Sequence, residues 1–518
     1  VLDQIQEYNV INWNTTQFIS YDVGYLQFVF MITNVNSQIV LTVRITISTS
    51  SSKVSNGEER IMREVLKNVI EALKTECDYL EIRLEENETT NIVFKGENLD
   101  QVSKKAEKGG FVRALYKGGW GEVSFNNVNN LEEYAKKAIK QAKIVGKSES
   151  RLAAVPVVQD QVKFKLKSDP RKVSFEEKIE MLKRYNDIVL NYNKVIKSST
   201  VKYNEVFRYL TFINSEGTCI YQEQMDMGGA IMAIASDESN RQMAFTTFGS
   251  SNDFSVALGL EEEIKKSCQL AVDLLSAPKV KAGEYTVIAD SELAGVFVHE
   301  AFGHLSEADG IYEDPKQQEI MKLGRELGRQ VLNIYDSGLV EGCRGYLVYD
   351  DEGVKTEKTY LIKEGKLVGR LHSRQTAGIM GEKPTGNARA VSYKFPPICR
   401  MRCTCIEEGT STFEEMLQGI KLGILACSSL GGETNGELFT FSAQYGYMIR
   451  DGKIAELVRD VNLSGNVFTT LNNIDMIGNK GIFKDGPGGC GKNMQFPLPV
   501  SEGGPYIRIQ KVVVGGEE

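Results

Sequence analysis

Two of the three histidines in this 518-residue sequence fall in one hexapeptide, His299-Glu-Ala-Phe-Gly-His304, with the carboxylate of Glu300 directly after the first. Imidazole beside a carboxylate is a natural metal shell: a neutral ring nitrogen binds an ion such as Zn2+, and the carboxylate can move protons. The spacing sets a geometric problem. Metalloproteases of the HExxH kind place their histidines four apart, which 3.6 residues per turn brings to one helix face. A spacing of five leaves the rings roughly 140° apart on an ideal α-helix, too far round to share an ion. They converge if the turn is locally a π-bulge, or if the helix ends at Gly303 and the chain swings His304 back. One of these distortions is expected. The alternative is a pair of helix-end histidines with no ligand.

A catalytic zinc site takes three protein ligands, and a glutamate placed like Glu300 serves more often as base than as ligand. The best third donor is Cys490, in Asp485-Gly-Pro-Gly-Gly-Cys-Gly-Lys492, where the glycines leave a thiolate unobstructed. The same loop imitates a nucleotide motif, since residues 486–492 fit G-x-x-x-x-G-K. Asn493 stands where Ser or Thr is required, and Pro497 and Pro499 forbid the phosphate-holding helix, which argues against ATP or GTP. Cys399, Cys403 and Cys405 form the one dense cysteine cluster and would share a face on an unbroken strand. Without a second cluster of matching spacing they read as buried strand residues rather than a zinc knuckle. His372 reads as a satisfied core or surface group, with contact to substrate or metal as its alternative.

These residues need a frame. A strand at 284–289 ends at Asp290-Ser291, either of which can cap a helix running into His299 with Leu293, Val296 and Phe297 on its buried face. Further strands are expected at 339–350, 354–363, 366–371, 438–450, 453–463 and 506–514, with a helix at 411–425. Residues 279–518 therefore read as a β-rich catalytic domain. Upstream, 57–278 reads as an α+β scaffold of two modules, about 57–150 and 165–278. The first holds a helix with Ile61, Val65, Leu66, Val69 and Leu73 on its apolar face, strands at 79–85, 90–95, 110–116 and 122–125, and a helix at 131–145 capped by Asn130. The second holds a helix opened by a Ser174 to Glu177 capping box, a meander over 202–249 and a helix at 261–275. Residues 1–56 form an appendage of unknown role, with a strand at 38–47 and a linker at 48–57. The fold class expected is α+β, an N-terminal helix and sheet half followed by the β-rich half that carries the histidine helix.

At this length two or three domains are expected. A net charge of −8 with 25% charged residues fits a globular protein and gives no basic stripe for a nucleic-acid partner. The nine cysteines are odd in number and scattered, as in a reducing cytoplasm rather than a secreted disulfide framework. No stretch reaches the roughly 20 apolar residues of a membrane span, and no basic n-region suggests a secretory signal.

The hexapeptide from His299 to His304, followed by Glu307-Ala-Asp309, resembles the HExxxH signature of the TldD/PmbA family, also called modulators of DNA gyrase and regarded as metalloproteases. Pro384-Thr-Gly-Asn-Ala-Arg389 and Gly488-Gly-Cys-Gly-Lys492 are similar to further family blocks, in the expected order. The likeness spans about residues 58–516 and leaves the first 56 unaccounted for. It implies the catalytic, TldD-like branch, with one zinc-type ion on His299, His304 and Cys490 and with Glu300 as general base. It also implies a homodimer, or a heterodimer with a PmbA/TldE-like subunit, around an enclosed site for unfolded or small peptides. The competing expectation is a non-catalytic or regulatory subunit whose metal is structural or absent; a side chain such as His372 in the fourth position would favour it.

Overall fold

The computed structural model describes residues 10–13, 16–23, 26–35, 38–47 and 56–515. It divides into two compact units, 1–65 and 66–518. In the first, strands Val10–Trp13, Thr16–Val23, Leu26–Val35 and Gln38–Ile47 form an antiparallel meander. The linker expected at 48–57 falls mostly outside the described residues, and a helix, Asn56–Leu73, begins at its end. That helix buries Leu66, Ile70 and Leu73, whereas Ile61 and Val65 are exposed, so its apolar stripe is shorter than the spacing suggested.

The second unit is a sheet-rich α+β fold. Its N-terminal half is one seven-stranded sheet. The strands run Arg241–Ser250, Cys219–Ser236, Ile196–Asn214, Tyr79–Lys95, Asn98–Tyr116 and Gly119–Phe125 in spatial order, with Gln159–Val162 beside Cys219–Ser236. Both expected modules contribute to it. The break expected after Glu85 is absent, because Glu85 to Thr90 stay paired with both neighbouring strands and the polar run is a sheet face rather than a turn. Alternation sets the buried face: Val201, Tyr203, Glu205 and Phe207 point inward beneath the helices Phe175–Tyr192 and Glu261–Ser276. Ser174 and Glu177 make the expected capping box. Asn130 makes no side-chain cap to the helix Leu131–Val145; Asn127 instead caps the short turn before it. That helix lies so close to the strand Gly119–Phe125 that a Cβ on Gly121 would sit 1.9 Å from the Ala138 carbonyl oxygen.

The C-terminal half is built on the strand Ser501–Gly515, which pairs with Gly283–Ala289, Asn462–Asn466, Cys403–Ile406 and Ile474–Lys484. Strands Leu422–Asn435 and Leu438–Arg450 complete a path that returns to Gly283–Ala289, and the helix Ser291–Phe297 packs against this ring. Expectations fail here at five places, two of them by length alone: the strand expected at 354–363 is Lys358–Lys363, and that expected at 366–371 is only Lys366–Leu367. Residues 339–350 form no strand, because buried Asp350 draws the Glu352, Val354 and Ala388 amides into a turn. The helix expected at 411–425 is only Phe413–Leu417, stopped before Gly419 at φ +79°, and the strand Leu422–Asn435 follows. The strand expected at 453–463 splits into Lys453–Val458 and Asn462–Asn466.

Buried ion pairs join the two halves. Arg113 bonds Glu81 at 2.9 Å and Glu352 at 2.6 Å; Arg208 bonds Glu85 at 2.7 Å and Asp351 at 2.9 Å; Arg344 bonds Asp226 at 2.7 and 2.8 Å. Each pair satisfies charges that burial would otherwise penalise heavily.

Candidate metal centre

The strand Gly283–Ala289 delivers Asp290, whose carboxylate accepts the Leu293 amide at 2.9 Å and the Ser428 amide at 2.8 Å, starting the helix Ser291–Phe297. The α-helix then widens into a π-helix, Val298–Gly303, closed by a bond from the His304 amide to the His299 carbonyl. That i to i+5 pattern answers the spacing problem. The two imidazoles come to 5.3 Å between ring centres, almost perpendicular at 87°. Met401 packs directly over Gly303, since a Cβ there would lie 2.0 Å from Met401 Sδ and the methionine would have to move.

Cys490 arrives from the other end of the chain, on a short hairpin of Cys490–Lys492 and Gln495–Leu498. Buried Arg400 staples the hairpin by donating to the Cys490 carbonyl at 2.7 Å and the Gln495 carbonyl at 3.2 Å. Arg344 grips the preceding loop through the Gly486 and Gly488 carbonyls, the latter at 2.6 Å. The Cys490 sulfur lies 3.4 Å from His304 Nε2, and donor atoms of His299, His304 and Cys490 all fall within 4.8 Å of one another.

His299 is fully buried, and neither of its ring nitrogens has a hydrogen-bond partner. Leaving two polar atoms unsatisfied in a core is costly. A soft-to-borderline ion held by two nitrogens and a sulfur removes that cost, so the donor set fits zinc-type chemistry. The electrostatics point the same way. Burial would raise the Cys490 thiol, yet the facing imidazoles, His299 foremost, bring it down to about 5. Burial would lower both histidines, but Cys490 and Glu502 lift His299 to about 9, and Glu307 and Cys490 lift His304 to about 11. The cluster thus demands positive charge at one point, which protons or a metal ion can supply in exchange.

Two glutamates flank His304 differently. Glu307 accepts from Nδ1 at 2.9 Å with its side chain 1% exposed, and Lys492 and His304 hold it at about 2 against the opposing effect of burial. Glu300 lies 3.8 Å from Nε2 and is 28% exposed, so it alone of the two can meet a reactant. Lys492 bonds Glu307 at 2.9 Å, Asp309 at 2.5 Å and the Cys399 carbonyl at 3.1 Å. That lysine is fully engaged and a strand, not a helix, holds it, which leaves no phosphate cradle in this loop.

Of the other candidates, His372 is buried with Nδ1 3.0 Å from Thr376 Oγ1 and Nε2 3.1 Å from Glu382. It joins no group of metal-binding side chains among the described residues, nor do the three clustered cysteines. Cys399 lies on Ile398–Cys399 and the other two on the separate strand Cys403–Ile406, so no unbroken strand joins them. Sequence reasoning gave no role to Glu307, Lys492, Arg344, Arg400 or Glu502. Only Glu307, three residues after His304, lay close enough in sequence for helical spacing to find it.

Three family models match in chain order: PmbA/TldA metallopeptidase domain 1 over residues 80–142, the central domain over 168–276 and the C-terminal domain over 282–516. A metalloprotease of Synechocystis is 42% identical over 457 residues, covering 88% of this chain and 98% of the relative. A zinc metalloprotease TldD homologue of Saccharolobus solfataricus is 31% identical, covering 87% and 100%. The solved structure of TldE from Thermococcus kodakarensis superposes with a TM-score of 0.68 at 17% identity, covering 87% of this chain and 100% of that one, a likeness of fold.

Proposed function

The chain belongs to the TldD/PmbA metallopeptidase family, and from that premise we propose that it is a zinc-dependent peptidase acting on unfolded or small peptides, with residues 279–518 as the catalytic domain. The ligands are His299, His304 and Cys490, and the general base is Glu300. One observation carries the assignment: a fully buried His299 with two unsatisfied nitrogens meets His304 and a depressed thiol across a π-turn. The zinc named for the Saccharolobus relative supports the choice of ion.

An ion bound there would acidify a water and polarise the scissile carbonyl. The protein residues do the rest. Glu300, on the exposed side of His304, takes the water's proton and returns it to the leaving amine. Glu307 accepts the His304 Nδ1 proton, which keeps Nε2 free as a donor. Lys492 neutralises Glu307 and ties it to the cysteine hairpin, so both halves of the ligand set share one support.

We extend the reading to assembly and compartment. The family likeness supports a dimer with a second copy or with a PmbA/TldE-like subunit that encloses the site. Nine free thiols support a reducing cytoplasm. No helix among the described residues is long and apolar enough to cross a membrane.

The decisive experiment measures zinc content and hydrolysis of an unstructured peptide for the native chain and Glu300→Ala. The expected outcome is one ion in each and a fall in turnover of about 10²–10⁴-fold in the variant. Equal turnover would remove Glu300 from the mechanism, and a native chain that holds no ion would remove the mechanism altogether.

A further inference from the structure

His304 has a carboxylate behind it, and the same demand exists at His299. Phe302 and Gly303 occupy the positions three and four residues on, so no carboxylate stands to His299 as Glu307 stands to His304, and Glu300 of its own turn comes only within 4.8 Å. The carboxylate that faces it comes from the far end of the chain: Glu502 Oε1 lies 3.6 Å from His299 Nδ1.

Glycines build this approach. A Cβ on Gly295 would meet the Gly503 amide nitrogen at 2.2 Å and the Glu502 carbonyl carbon at 2.8 Å. Only a glycine at 295 therefore lets the helix Ser291–Phe297 lie directly on the start of the strand Ser501–Gly515. Gly503 is confined in turn, since its Cβ would lie 2.4 Å from the Ile482 carbonyl oxygen. His299 follows Gly295 by about one turn, so the contact that seats the helix also aims His299 at Glu502.

We propose that Glu502 is a positioning residue that accepts the Nδ1 proton of His299 and thereby makes Nε2 the metal-binding atom, as Glu307 does for His304. The inference rests on the metallopeptidase reading above. A carboxylate behind a ligating imidazole fixes its tautomer and orientation and raises its basicity. The proposed bond asks the 3.6 Å separation to shorten to hydrogen-bond length, and the Glu502 side chain, 26% exposed, is less enclosed than the ring it faces.

The chain has only three histidines, so ring-nitrogen NMR of the zinc-loaded protein resolves each one, with His372→Gln assigning the third. In the native chain the His299 signals should report a protonated Nδ1 and a metal-bound Nε2. Zinc affinity, read by competition with a chromophoric chelator, should fall about 10–100-fold in Glu502→Ala. Glu502→Gln keeps an acceptor oxygen and should recover part of the loss. Glu292→Gln removes a nearby charge engaged with Ser428 and should leave affinity unchanged. Unaltered affinity and tautomer in Glu502→Ala would overturn this inference alone. A native chain that binds no zinc would overturn the metallopeptidase reading with it. Two ions per native chain, falling to one in Glu502→Gln, would overturn the positioning role in favour of direct ligation by the His299, Glu300 and Glu502 group.

Discussion

Two buried histidine sites in the C-terminal half differ in how their rings are partnered. Around His372 both nitrogens are accounted for, one by Thr376 and one by Glu382, and Glu382 is bonded in turn by Arg370. Around His299 neither nitrogen has a hydrogen-bond partner, although the ring is no more exposed. Burial is common to both, so burial alone does not mark a functional imidazole. Unmet bonding capacity beside other unmet donors does, since a folded chain keeps such groups only where something else completes them.

The contrast can be broken at its strongest point by Cys490→Ala. Removing one of three donors should abolish stoichiometric zinc loading and peptide hydrolysis together while the fold persists, as metal analysis and circular dichroism would read. Retained loading would dissolve the distinction between the two sites. A smaller effect is expected at the saturated histidine. His372→Leu removes the ring's bonds to the Thr376 hydroxyl and the Glu382 carboxylate, which keep Ser373 and Arg370 respectively as partners, and should cost about 1–3 kcal/mol in urea unfolding and leave zinc content unchanged. Loss of zinc in this variant would tie His372 to the site.

The smallest effect depends on pH. Burial would raise the Glu382 carboxyl, but its bond to His372 and the Arg370 guanidinium outweigh that and hold it below its usual 4.5. A carboxylate depressed by folding stabilises the native state above its unfolded pKa and loses that contribution as pH falls through the folded value. The stability gap between the native chain and Glu382→Gln should therefore be full at pH 6 and shrink below about 4.5. A gap that widened on acidification would reverse the sign and refute the assignment.

How far the sequence anticipated these features follows from range. The π-turn was legible because a spacing of five admits few solutions, and Cys490 because glycines left it exposed to notice. The Ser174 to Glu177 capping box and the helix Leu131–Val145 depend on neighbours a few residues away, and local pattern found both. Glu502 was invisible, since nothing in its own segment refers to a ring 203 positions earlier. The strand expected at 339–350 failed for the related reason that Asp350 organises its turn partly through Ala388. The break expected after Glu85 failed because the polar residues 86–89 stay in the ladder between two neighbouring strands, with Glu86 3.5 Å from Lys108 across one of them.

The grip of Arg344 has a consequence for engineering. One end of its guanidinium holds the glycine loop before Cys490, and the other is neutralised by Asp226 on the strand Cys219–Ser236 of the N-terminal half. A truncated protein starting at residue 279 would retain every proposed zinc donor yet lose the counter-ion that sets the sulfur's anchorage. The C-terminal half is thus no transplantable cassette: its geometry is borrowed from a neighbour that supplies none of the proposed zinc donors.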